Sequence, residues 1–370
     1  MDYIECHEGF MKIERILNFP QKIIHFCRIR GKLWSFLLLI PGILEVFSVI
    51  GSAATVFTSK GDSKVFAVAA IFAIAHAQVA VKSFSILLDE GAIVGIFQWF
   101  HQLHQTRKEE IVHQIFKDNL EKAQKLTYNV IRILLFVFMM TFLTISIYFN
   151  MSDKLYTKYP LIPESADTIH RTINVILLIF TVVILATSEC TLIVFGIYFI
   201  ASLNILSDLI RKLNESSYIP SARNFLRIIV ELQIQILTNL EVFCTLFFFV
   251  FIVQISTSVG LLLFNFSLIV HSLTDFIYYS MISSSLSQFA FYCLFGQIIN
   301  GKSERIFTDL YQTMWYEMPI REQKILLLML KMSQKTFTLK AAGMYDINMI
   351  MFVQVIKLCF SYCTILYALM

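Results

Sequence analysis

The sequence predicts an all-α membrane protein with seven transmembrane helices, and three observations predict it. The first is composition. Of 370 residues 57% are hydrophobic and only 15% are charged, with a mean hydropathy of +0.69. A soluble domain carries about a quarter of its residues as charges. A core in water could not hide 35 Phe beneath so little polar surface. The second is length: seven apolar runs reach about 20 residues or more, enough to cross roughly 30 Å of hydrocarbon as a helix. The third is that the charges cluster between alternate runs.

Each run is read as a helix because lipid offers its N–H and C=O groups no other partner. The first, 33–57, contains Pro41-Gly42, expected to kink it without ending it. A short polar link leads to the second, 65–88. A long charged segment, partly helix-forming, precedes the third, 130–149. After a short connection come the fourth, 173–200, a second long charged segment, and the fifth, 242–264. The fifth and sixth (276–299) nearly fuse, separated by NFSLIVHSLTD. A third charged segment leads to the last, 347–370. Several helices are expected to continue beyond the membrane into the charged segments. No repeat, low-complexity tract or linker divides the chain, so one domain over 1–370 is expected.

The charged segments and the amino-terminal region carry 22 Lys and Arg, against 5 in the short connections. The positive-inside rule then places the amino terminus in the cytoplasm, and seven crossings place the carboxyl terminus outside. On that topology Asn150-Met151-Ser152 is an external glycosylation sequon, whereas Asn214-Glu215-Ser216 faces the cytoplasm. The start lacks an apolar stretch followed by a small-residue cleavage site, so the first span is expected to act as its own insertion signal.

Several functional classes find no support. A seven-helix G-protein-coupled receptor has the reverse topology, and its DRY-like and NPxxY motifs are missing. A transporter would show paired broken helices around a midplane site; Pro41-Gly42 alone is a poor match. No HExxH, Walker or GxSxG motif suggests an enzyme. No basic block interleaved with aromatics suggests nucleic acid. The seven Cys have no CxxC spacing and avoid the external connections, so neither a disulfide framework nor zinc is expected. His101 and His104, with His113 nearby, form an HxxH read as a solvated helix face. No cofactor is expected.

Ionisable residues inside spans are costly, by ~2.5–3.5 kcal/mol on insertion scales, and tend to face protein or water. Lys82 is expected to snorkel to the inner interface. Glu189, flanked by polar residues, has two readings: a buried structural group, or one near ligand or pore. The direction of Lys357 is open.

The last quarter of the chain carries a set of landmarks. Tyr292, Gly296 and Ser303 close the sixth span, and Tyr311, Trp315 and Tyr316 follow. Lys331-Met332-Ser333-Gln334-Lys335 precedes a turn with Ala342-Gly343. Ile356-Lys357 and Ser361-Tyr362 mark the final span. Their order and spacing over about 80 residues resemble the carboxyl-terminal region of insect odorant receptors. A gustatory-type channel of the same superfamily is the nearest alternative, but its Gln-Phe ending is missing. The short connection between spans four and five, and Ala368 in place of a polar Gln, resemble a tuning subunit rather than the co-receptor.

The resemblance implies a subunit of an odorant-gated, non-selective cation channel, a heterotetramer with a co-receptor. It would lie in the plasma membrane of a sensory-neuron dendrite, with the bilayer and a small volatile odorant as its other partners. The pocket would lie among spans two, three, four and six, which nominates Ile71, Phe72, Phe142, Ser146, Phe149, Ile176, Phe180, Tyr279 and Ile282; each has lipid contact or packing as its alternative. Subunit contact would involve Trp315, Tyr316 and Leu328, on or beside a helix expected over 321–332; packing within the chain is the alternative. On the last span Gln354, Leu358, Ser361, Ile365 and Leu369 recur every three or four residues and share one face. That face is either a packing seam or, as the resemblance implies, the pore, with Ile365 at the apolar gate.

Overall fold

The structure is a computed structural model that describes residues 2–17, 40–58, 63–88, 90–107, 109–151, 157–159, 162–163, 165–214, 222–271, 276–334, 337–341, 343 and 345–369. Its helices are α1 His7–Leu17, α2 Ile40–Thr58, α3 Ser63–Leu88, α4 Glu90–Leu103, α5 Glu110–Met151, α6 Asp167–Leu213, α7 Ala222–Leu246, α8 Phe248–His271, α9 Phe276–Tyr311, α10 Ile320–Ser333 and α11 Met349–Leu369. Residues 33–39 of the first expected span, residue 370 of the last, Ser152 of the first sequon and Glu215-Ser216 of the second lie outside the described residues.

The seven spans are α2, α3, α5, α6, α8, α9 and α11. Among the described residues α3, α5, α6, α7, α8 and α9 each have membrane length and apolarity, and α2 and α11 contribute shorter apolar helices. The helix set aside is α7. It carries Arg223, Arg227, Glu231 and Glu241 and packs on α4, α6 and α10. It runs into α8 through a break at Phe247, where Phe247 N donates to Phe243 O (3.0 Å) and Phe251 N to Phe247 O (2.9 Å). The fifth span therefore begins later than the sequence suggested, because the apolar run starts on the charged helix that feeds it.

Length explains the extensions. At 1.5 Å per residue the 42 residues of α5 reach about 63 Å, twice the hydrocarbon thickness. The extra turns, with those of α6, α7 and α9, build a helical body beyond one membrane face. The larger apolar core has its aromatic centre there, in Phe10, Phe97, Phe100, Phe195, Tyr198 and Phe243. A smaller core around Val68, Ile71, Phe72, Leu261 and Tyr278 lies toward the other face. The apolar run of α5 turns outward, with Ile133, Phe136, Met139, Met140, Leu143 and Ile147 exposed as lipid-facing side chains.

Two expectations need correction. The HxxH is no solvated face: His104 is fully buried, and α1 docks over it. His7 lies 2.9 Å from His101, whose other nitrogen lies 2.7 Å from Glu14, and Ile4 N donates to His104 O (2.9 Å). The docking stripe His7, Phe10, Ile13 and Leu17 is buried, recurring every three or four residues. Nor does Lys82 snorkel. It is 1% exposed and ion-paired with Glu189; a buried carboxylate offers the ammonium a nearer partner than water.

Candidate functional site

Midway along α3 the chain places Ile71, Phe72, Ala75, His76, Gln78 and Val79 on one face. That face borders a cavity of about 150 Å³ in the half of the bundle away from α1 and α10. Its other walls are Phe138, Thr141, Phe142 and Ile145 of α5, Leu178, Thr181, Val182 and Leu185 of α6, Leu261 and Asn265 of α8, and Met281, Ser284, Ser285 and Gln288 of α9. Each set follows the i, i+3, i+4 rhythm of one helix face. The wall is mainly apolar with a few placed polar groups, the usual make-up of a small-molecule site.

Those polar groups are tied to neighbours behind the wall. His76 Nδ1 lies 2.8 Å from Glu45 Oε2 of α2, and the Thr181 hydroxyl is 2.8 Å from Glu45 Oε1. Gln78 donates to Gln254 of α8, which donates to Ser258 Oγ (3.1 Å). Toward the α1 end, Gln288 Nε2 donates to Glu189 Oε1 (2.7 Å) and the Tyr292 hydroxyl to Glu189 Oε2 (3.0 Å). Lys82 completes this cluster, 5.6 Å from the Tyr292 ring centroid. Three helices, α3, α6 and α9, are thus joined through one carboxylate adjoining the cavity.

The nominated residues divide. Ile71, Phe72 and Phe142 border the cavity. Ile176, Phe180 and Tyr279 do not; they lie on exposed faces of α6 and α9. On α6 the cavity face is 178, 181, 182 and 185, about a third of a turn or more from 176 and 180. Ile282 is buried in the larger core, one residue from the cavity residue Met281. Ser146 follows the cavity residue Ile145 but is not in the wall. The Phe149 side chain lies outside the described residues. Sequence reasoning missed His76, Gln78, Thr181, Asn265 and Gln288. His76, Gln78, Thr181 and Gln288 are polar residues inside apolar runs, a signal available from the sequence, whereas Asn265 opens the link after the fifth run.

On α11 the nominated stripe is exposed: Gln354, Leu358, Ser361 and Ile365 point away from the bundle, with Lys357 also exposed. The Leu369 side chain lies outside the described residues. The opposite face packs inward through the buried Cys359 and Cys363 and through Phe352 on Phe289 of α9 (5.4 Å), while the exposed Phe360 lies 5.2 Å from Phe266 of α8. At the other end of the molecule α10 buries Leu326 and Met329 and exposes Ile320, Leu327 and Leu328. Trp315 and Tyr316, in a 3-10 turn, are exposed beside it.

The family model for the 7tm odorant receptors matches residues 64–360. The chain belongs to the odorant receptor family. The fold is similar to that of the insect olfactory receptor OR5 from Machilis hrabei in complex with eugenol, with a TM-score of 0.77 at 13% identity over 100% of both chains. It is likewise similar to a second structure of the insect olfactory receptor OR5 from Machilis hrabei, at TM-score 0.76 and 13% identity over 99% of both chains. No curated protein matches the chain.

The landmarks of this odorant-receptor-family chain have physical reasons. A Cβ on Gly296 would lie 2.0 Å from the Ile347 carbonyl, so glycine lets α9 approach the start of α11. Gly343 adopts φ +70° in the turn where Lys340–Ala341 (β1) pairs antiparallel with Tyr345–Asp346 (β2). Ser303 Oγ accepts from Phe337 N (2.9 Å), and Ser333 Oγ from Gln233 (2.8 Å). Tyr292 belongs to the Glu189 cluster.

Proposed function

We propose that this odorant-receptor chain binds a small volatile ligand in the cavity and, with a co-receptor in a heterotetramer, opens a non-selective cation path. The observation that carries the reading is the cavity: it is largely apolar, bordered by five helices and set within the span region. The 22-to-5 charge asymmetry supports an amino terminus in the cytoplasm and a plasma-membrane subunit with the cavity in its outer half. The whole chain acts as one unit.

The proposed mechanism runs from α9 to α11. Gln288 borders the cavity, and the ring of the next residue, Phe289, packs against that of Phe352 (5.4 Å). A ligand that fits better when α9 has shifted favours that arrangement, and α11 moves with it. The exposed face of α11 lines the path, and a ring of Ile365 side chains closes it by excluding water. The test is to express the chain with and without co-receptor and record current against an odorant panel. Odorant-evoked current that requires both subunits is expected, and Ile365→Gln should raise the current without odorant. Current from the co-receptor alone that matches the pair, together with an unaltered basal current in a surface-expressed Ile365→Gln, would sink the reading.

A further inference from the structure

We propose that the cavity selects small ligands carrying a hydrogen-bond donor, alcohols and phenols, and that Asn265 is the group that selects them. The inference rests on the cavity being the ligand site. It follows from which polar groups there are already committed. The hydroxyl of Thr141 donates to Val137 O (2.9 Å) and that of Ser285 to Met281 O (3.0 Å). The Thr181 hydroxyl is held between Glu45 Oε1 (2.8 Å) and Leu177 O (2.9 Å). Gln288 and Gln78 each direct an amide hydrogen behind the wall, to Glu189 and Gln254. His76 is tied through Nδ1 to Glu45 (2.8 Å). Ser284 can turn either way and does not choose between ligands.

Asn265 is the decisive group. It borders the cavity from α8 and is fully buried. Its Nδ2 donates to Leu261 O (2.7 Å), which fixes the amide orientation, since a carbonyl accepts and cannot donate. Its Oδ1 is buried with no hydrogen-bond partner. A buried acceptor left unpaired is unfavourable, and a hydroxyl brought beside it relieves that. A ligand with acceptors alone can take the second amide hydrogen of Gln78, Gln288 or Asn265 but leaves Oδ1 as it was. Discrimination between a hydroxyl compound and an analogue lacking the donor is the kind a polar site achieves far better than an apolar one.

The experiment compares isomers, so that size and atom composition cancel. The purified chain in phosphatidylcholine nanodiscs is titrated with 4-ethylphenol against 4-methylanisole, and 1-hexanol against methyl pentyl ether, with thermal stabilisation as the readout. In each pair the hydroxyl compound should bind about 10-fold tighter or more. In Asn265→Ala that preference should shrink to within about 3-fold, by loss of hydroxyl affinity with ether affinity kept. Equal affinities within both pairs, or no binding by any of the four, overturns the inference. So does a preference that survives in Asn265→Ala. If that variant does not fold, the wild-type isomer comparison alone decides. Hydroxyl-selective binding without odorant-evoked current would remove the channel reading and leave this inference standing.

Discussion

Lys82 and Glu189 show how much a single pair decides in this fold. Both side chains are nearly inaccessible, on two of the spanning helices, α3 and α6. Removing one partner of a buried pair leaves an uncompensated charge, at a cost of about 3–5 kcal/mol, whereas replacing both by apolar groups is often close to neutral. Lys82→Met should therefore lower the unfolding temperature of the purified chain sharply, and Lys82→Met with Glu189→Leu should recover much of the loss. Gln288 and Tyr292 keep the recovery incomplete, because both donate to Glu189. A Lys82→Met variant as stable as the wild type would show that the pair is structurally unimportant.

At the scale of elements, α1 is held to the body by a small set of titratable contacts. His104 is buried beneath Phe10, whose ring stacks on it at 4.9 Å, and Tyr198 lies 5.8 Å away. Burial pushes the His104 pKa down to about 4, with His7 and His101 adding to the shift and the Phe100 carbonyl opposing it. His7 is lowered by burial and by His101, with Glu14 opposing. The unfolded imidazoles bind protons near pH 6.5 and the docked ones do not. Docking is therefore complete above about pH 6.5 and weakens as pH falls toward 4, by up to about 3 kcal/mol for His104. Hydrogen exchange should show α1 amides losing protection between pH 7 and 5, and His104→Leu should flatten that dependence. Protection of α1 independent of pH would refute the assignment.

For the whole molecule, the apolar surface exposed at the α10 end tests the proposed assembly. Tyr311, Trp315, Tyr316, Ile320, Leu327 and Leu328 are all exposed in a region beyond the spans, where lipid does not cover them. Clustered aromatic and aliphatic side chains of this kind mark interaction sites, and a few anchors carry most of the energy of an interface. Trp315→Ala with Leu328→Ala should weaken co-purification with the co-receptor about 10-fold or more. The chain itself should fold normally, because exposed positions tolerate substitution. Undiminished co-purification of the double variant would move the interface elsewhere.

The seven spans, their order and their continuation beyond the membrane were legible in the sequence, because lipid forces any apolar run of sufficient length into a helix. The facing of the spans was not. In water a helix marks its buried side by hydrophobicity, but in lipid both sides are apolar and that contrast fades. Hence apolarity alone did not separate Phe180, which faces outward, from Val182 two positions on, which borders the cavity. Nor could one helix declare that Lys82 would meet Glu189 107 positions away, or that α1 would bury His104. Such pairings depend on which helices adjoin and in what rotation, and only the packed bundle sets both.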